Sequence, residues 1–194
     1  FAYENCRSHI AALPSEIAYE FPLFTDAYVV GEIRGGLGPY QLLNNVPIFN
    51  KNRPALILYV AIHSSGEEPP VDWNKTDTTR YHGGMLSDEI AALVSLCLGI
   101  RLQAGEFSRV FDKSTGPRGL PRNGGLGPDP VLHIPNRHPT IPGVYDQHTL
   151  ESANILPSLF KLDPSQSVAL VKSARLYQQA VWLCDSTPEL SWVL

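Results

Sequence analysis

The sequence lacks most of the patterns that would place it in a well-marked class. Its 194 residues contain no apolar run near the ~20 residues that cross a bilayer, so we expect no membrane contact. No secretory signal peptide precedes the first apolar segment. The net charge of −4 disfavours a protein that wraps duplex DNA, because such proteins are usually basic. With 43% hydrophobic and 18% charged residues, the composition is that of a globular chain.

Motifs that carry recognised chemistry are also missing. The sequence has no phosphate-binding P-loop, no G-x-S-x-G nucleophile elbow and no H-E-x-x-H zinc motif. Its three cysteines, Cys6, Cys97 and Cys184, lie far apart among apolar neighbours, and no C-x-x-C occurs. They are typical of buried free thiols in a reducing compartment, so we expect a cytoplasmic protein. No metal site and no cofactor are predicted.

Hydropathy patterns predict an α+β fold built on a mixed sheet. Residues 55–63 are apolar on both faces, which predicts a central strand covered on both sides. Residues 20–23 contain Pro22, which indicates an edge strand or an extended arm. Ser87 is a candidate N-cap for a core helix over 87–98, and residues 100–104 and 108–112 predict a β-hairpin around a turn at 105–107.

The last part of the chain predicts a helical hairpin. Residues 163–166, Asp-Pro-Ser-Gln, form a helix start, and the helix is expected to run to about Cys184. A second start follows at 186–189. Since the chain opens on Phe1 and ends within this second helix, we expect a piece of a longer protein. The predicted division is a mixed α/β domain over 1–160 and a hairpin over 161–194 that begins a further helical module.

Two loops carry the candidate ligand-binding residues. In the first, glycines allow close backbone approach just before the N-terminus of the core helix, a place suited to a phosphate or carboxylate. The second, over 113–138, holds four basic side chains against one acid and could contact RNA, a nucleotide or an acidic partner. The alternatives are a structured entry loop and a solvated loop without specific contacts. The candidate residues are Arg80, His82, Gly83, Gly84, Arg118 and Arg122.

The C-terminal helices resemble a known family. Residues 174–183, Ala-Arg-Leu-Tyr-Gln-Gln-Ala-Val-Trp-Leu, followed by Asp185 and by Pro-Glu-Leu-Ser-Trp-Val-Leu at 188–194, resemble the opening helices of Apea-like HEPN domains. The resemblance implies a helical bundle of the kind found in prokaryotic conflict and defence proteins, often as ribonucleases. The catalytic arginine and histidine of that family lie on a later helix, so no catalytic residue carries over.

Together these patterns favour a non-catalytic recognition or regulatory domain of a larger intracellular, defence-related protein. Its expected partners are a small anion, a nucleotide or RNA, and the helical module of the same chain. The alternative is an enzyme acting on a phosphorylated or nucleotide substrate, with Arg80 and Arg118 binding the anion and His82 as general acid and base. A purely structural assembly piece is a third possibility, and it predicts an exposed apolar strip on the terminal hairpin.

Overall fold

The computed structural model describes residues 2–11, 15–35, 37–44, 55–63, 85–112, 120–121, 146–153 and 156–183. Its helices are α1 (Ala2–Ile10), α2 (Leu86–Leu98) and α3 (Pro164–Leu183), with 3₁₀ turns at Leu150–Ala153 and Leu156–Lys161. Its strands are β1 (Ser15–Phe24), β2 (Tyr28–Val30), β3 (Tyr40–Asn44), β4 (Leu56–His63), β5 (Gln103–Ala104), β6 (Arg109–Asp112), β7 (Leu120–Pro121) and β8 (Gln147–Thr149). The predicted α+β class is confirmed.

The strands form two sheets. The larger has the order β3-β4-β1-β6-β7, with β5 also on β1, and every pairing described in it is antiparallel. The parallel pairing of β2 with β8 stands in a separate two-stranded sheet. The predicted mixed sheet is therefore resolved into an antiparallel sheet and a small parallel one.

The central position predicted for residues 55–63 is confirmed. β4 lies between β3 and β1. Leu56, Leu58 and Val60 are fully buried, whereas the alternate residues Ile57 and Tyr59 are half-buried. One face of the strand therefore faces the main core, and the other is covered less completely than its apolar composition predicted.

The edge position predicted from Pro22 is wrong, because β1 pairs with β4 on one side and with β5 and β6 on the other. The missing N–H of Pro22 points to the β5–β6 side, since its carbonyl accepts the Gly105 N–H there at 2.9 Å. Pairing on that side is interrupted between Glu20 and Leu23. A proline fits an interior strand here because it sits where no ladder bond is needed.

The hairpin predicted over 100–112 is also wrong. β5 and β6 both run antiparallel to β1 and do not pair with each other. They follow one another along the same edge of β1, and the Ser108 N–H donates to the Glu20 carbonyl in the interruption between them. The alternation in the sequence was that of one interrupted strand, with Gly105 inside it.

The core helix was predicted correctly, but its first residues were not. α2 begins at Leu86, so Ser87 is a buried helical residue and not the N-cap. Met85 stands at the cap, where its N–H donates to the Asp88 carboxylate at 2.9 Å. Gly99 ends the helix in the left-handed conformation, with φ 69°, which glycine adopts without a steric penalty.

The two remaining helices frame the core. α3 confirms the predicted C-terminal helix, and its Val171 and Ala174 pack in the same core as α2. The second helix of the predicted hairpin, which starts at 186–189, lies outside the described residues, and the boundary near 160 stays a prediction. α1, which the patterns did not predict, packs against β4 and contributes Ala2 and Cys6 to the core. Among the described helices, none has the length and apolarity to cross a membrane.

Candidate functional site

All six of the predicted ligand-binding residues lie outside the described residues. The structure therefore neither joins nor separates the two predicted loops that carry them, and these assignments stay predictions. The residues concerned are Arg80, His82, Gly83, Gly84, Arg118 and Arg122.

A different cluster of polar side chains stands out in the described part of the chain, where α1 meets the ends of β3 and β4. Asn5, Cys6 and His9 come from α1, Tyr40 opens β3 and His63 ends β4. Asn5, Cys6 and Tyr40 are buried, at 5%, 2% and 1% exposure, whereas His9 is exposed and His63 half-buried. The cluster thus has a buried floor and an accessible imidazole pair.

Asn5 completes the hydrogen-bond ladder of β4. The Ala61 N–H donates to the Pro39 carbonyl at 3.0 Å, just before β3 begins. The next two backbone groups on this side of β4 bond to the Asn5 side-chain amide instead. Its Nδ2 donates to the Ala61 carbonyl at 3.0 Å, and its Oδ1 accepts the His63 N–H at 2.8 Å. A side-chain amide here replaces the backbone of a neighbouring strand, so α1 is joined to the sheet edge by ladder geometry.

Tyr40 contacts the start of α1 through its hydroxyl group. Its hydroxyl donates to the Ala2 carbonyl at 2.8 Å and accepts from Asn5 Nδ2 at 3.3 Å. Burial raises the pKa of Tyr40 well above its usual range. The Ala2 N–H donates to the Glu89 carboxylate of α2 at 2.8 Å, and Glu89 is itself 2% exposed. The N–H and the carbonyl of Ala2, at the start of α1, therefore both have buried polar partners.

Cys6 belongs to this floor. Burial raises the pKa of its thiol to about 11, against a smaller opposing effect of its hydrogen bond with Tyr40. A thiol with that pKa is almost fully protonated near neutral pH and is a poor nucleophile. Gly38, with φ 62°, lies against this cluster. A Cβ built on it would lie 3.9 Å from the Cys6 sulfur and 3.7 Å from Cδ2 of His9.

The two imidazoles meet above this floor. Nδ1 of His9 lies 3.1 Å from Nε2 of His63, the ring centroids are 4.7 Å apart and the rings are tilted by 73°. Partial burial, and secondly the neighbouring His63, lower the pKa of His9 below its usual value. At that separation at least one of the two rings is neutral, because two imidazolium N–H groups cannot face each other.

No local pattern in the sequence indicates this pair, because His9 and His63 are 54 residues apart. A helix over Ala2–Ile10 would have placed Asn5 and His9 on one face, since they are four residues apart, but the helix itself was not predicted. A comparison of the chain with protein-family models, curated proteins and solved structures finds no match. The site therefore has to be interpreted from its own chemistry.

Proposed function

We propose that this chain is a cytoplasmic recognition or regulatory domain, without a catalytic role, in which the junction of α1 with β4 responds to a ligand. The observation that carries the proposal is the position of Asn5, whose amide bonds two backbone groups of β4 from within α1. A ligand that moves the exposed end of α1 must strain these bonds. The binding state of α1 is thereby coupled to the edge of the sheet.

The buried groups of the cluster support binding better than catalysis. Cys6 and Tyr40 are almost fully buried, and burial raises the pKa of both, which disfavours the thiolate and the phenolate. Asn5 uses both amide hydrogens and its carbonyl oxygen within the protein. These side chains hold α1 in place, and the accessible His9 beside His63 is left as the group that a ligand can meet.

An anionic ligand or partner fits the charge pattern of the sequence. Arg80, Arg118 and Arg122 belong to glycine-rich stretches of the sequence that we predict to be loops, where backbone N–H groups can add to anion binding. The likeness of the C-terminal helices to Apea-like HEPN domains supports a defence-related setting, with a helical module of the same protein as one partner and a nucleotide or RNA as another.

Hydrogen exchange of the full chain tests this proposal. Inorganic phosphate, adenosine triphosphate and a single-stranded RNA are added in turn, and backbone exchange is followed by mass spectrometry. We expect at least one probe to slow exchange in 2–11 and 56–63. The double variant Arg118→Ala with Arg122→Ala should weaken the binding of that probe and flatten the salt dependence of its affinity.

The same samples test the enzyme alternative. Turnover of the nucleotide or cleavage of the RNA, lost in His82→Ala, would support an enzyme and contradict the recognition role. Exchange rates that no probe changes would also contradict it. Gln41→Ala, which alters a half-buried side chain of β3, serves as a matched control because it lies outside the Asn5 network.

A further inference from the structure

The separation of the two imidazole nitrogens matches that of two ligands on one metal ion. A zinc or similar ion bound to each nitrogen at about 2.0–2.1 Å would subtend roughly 100° at the observed 3.1 Å separation of Nδ1 of His9 and Nε2 of His63. That angle lies between the octahedral and tetrahedral values. Both geometries are common among divalent transition metals.

The mutual orientation of the rings agrees with this geometry. A collinear N–H···N bond of the same length would hold the ring centroids roughly 5.3 Å apart, because each nitrogen lies about 1.1 Å from its own centroid. The observed distance is 4.7 Å, with the rings tilted by 73°. The path from one ring centroid through the two nitrogens to the other centroid is therefore bent, as it is when two imidazoles point towards one ion.

One side chain holds both of the backbone segments that carry these rings. His63 is held through its backbone N–H by Asn5, and the same Asn5 side chain holds the helix that carries His9. His9 stands in the last turn of α1, where the carbonyl end of the helix favours a positive charge. Its exposure leaves a route for an ion from solvent.

The ligand set selects the class of ion. Imidazole nitrogens suit Cu²⁺, Ni²⁺ and Zn²⁺, whereas Mg²⁺ and Ca²⁺ need oxygen ligands. Across the described residues no third histidine, cysteine or carboxylate joins the pair in a metal-binding group. Two protein ligands leave further positions for water or for oxygen atoms of an anionic partner.

From this geometry we infer that His9 and His63 bind one divalent transition-metal ion of the copper, nickel or zinc class, which bridges α1 and β4. The inference rests on the proposed role of this junction as a ligand-responsive element and adds the ion that an anionic ligand would contact there. The bound ion pins the end of α1 to the end of β4. Its open positions then offer a cationic contact to an anion.

Titration of the full chain with CuSO₄, NiCl₂ and ZnCl₂, followed by calorimetry, tests the site. His9→Gln and His63→Gln are compared with the wild type and with two controls, His148→Gln and the double variant His133→Gln with His138→Gln. We expect each variant of the pair to lower the affinity by at least about tenfold, the loss that even an outer-shell partner of a metal-binding histidine causes. The controls should keep the affinity of the wild type.

A second measurement does not depend on how the variants fold. In the wild-type chain, paramagnetic Ni²⁺ should broaden the NMR signals of α1 residues near His9 and of β4 residues near His63 before those of other regions. Affinity that is unchanged in both pair variants, or broadening confined to the surroundings of the other histidines, would overturn the inference.

The two proposals fail in different ways. If phosphate, nucleotide or RNA slows exchange in 2–11 while no ion binds the pair, the metal site is wrong and the recognition role stands. If an ion binds the pair while phosphate, nucleotide and RNA all leave exchange in 2–11 and 56–63 unchanged, with or without the ion, the site is supported and the regulatory role of the junction is wrong.

Discussion

The amide oxygen of Asn5 accepts the backbone N–H of His63 at 2.8 Å, so a helix side chain takes the place that a strand would occupy beside the end of β4. The same side chain donates to Ala61 and to Tyr40. All three of its hydrogen-bonding functions are used within a buried setting. Asn5 is thus the residue through which α1 and the sheet stabilise each other.

Asn5→Ala is therefore expected to destabilise the chain by about 2 kcal/mol, because partly buried backbone groups of Ala61 and His63 lose their partners. Urea unfolding measures the loss. Arg7→Ala, on the exposed side of the same helix, is the control and should change stability little. Equal effects of the two variants would show that the Asn5 bonds do not hold α1.

The ion pair of Arg101 with Asp26 is the second point of expected sensitivity. Both side chains are almost fully buried, at 4% and 5% exposure, and the Arg101 guanidinium lies 5.9 Å from the Trp182 ring centroid. Arg101→Met would leave the Asp26 charge buried without this partner, which typically costs about 3–5 kcal/mol. Adding Asp26→Leu should recover most of that loss.

The exposed ion pair of Arg34 with Glu32 provides a matched comparison for these substitutions. Its N···O distance is 2.7 Å, and the Arg34 side chain is 73% exposed. Arg34→Met should leave the urea midpoint unchanged, because exposed ion pairs are screened by solvent. A loss in Arg101→Met no larger than in Arg34→Met would contradict the importance of the buried pair.

Cys6 should react slowly with iodoacetamide in the folded chain. Its pKa is raised from 9.0 to about 11, so at about pH 8 its thiolate fraction is lower by roughly a hundredfold than in the unfolded chain. Peptide mass spectrometry of folded and guanidinium-unfolded samples measures the ratio. Similar rates in both samples would contradict the buried position of Cys6.

The same shift predicts the direction of the alkaline stability profile. The folded chain keeps the Cys6 proton to higher pH than the unfolded chain, so the contribution of this group is complete below pH 9 and is lost as the pH rises towards 11. Cys6→Ala should flatten that part of the profile, followed by urea unfolding at each pH. A profile unchanged by the substitution would exclude Cys6 as its source.

Gly105 is expected to tolerate no side chain. A Cβ at this position would lie 2.8 Å from Cε2 of Phe24 and 3.2 Å from Cγ of Pro22, two rigid rings. Gly105→Ala should therefore cost about 1–3 kcal/mol, the usual range for overpacking. Gly35→Ala is the control, since nothing lies within 4 Å of its Cβ, and thermal unfolding compares the two.

Local patterns predicted three elements well. The apolar run of β4 and the acid-led apolar segment of α2 were recognised because their burial follows directly from composition. The start of α3 was recognised because Asp163 precedes a proline, and its Oδ1 does accept the Gln166 N–H at 2.9 Å. In each case the signal lies within a few residues of the element.

Strand pairing could not be predicted from such local signals. Whether Pro22 stands on an edge or inside a sheet depends on which segment lies beside its missing N–H, and that segment begins more than eighty residues later at Gly105. The alternation around Gly105 is the same for a hairpin and for one interrupted strand. Only the partner, β1, distinguishes the two.

The order of side chains was enough to predict the α+β class, the central strand and the core helix, because it sets which face of an element avoids water. The tertiary structure decided the strand order, the role of Asn5 and the contact of His9 with His63. The contacts of Asn5 with Ala61 and His63, and of His9 with His63, join residues that are 54 or more positions apart, and no local preference links such segments. They form because folding closes the chain around a shared core and leaves each buried polar group to find a partner there.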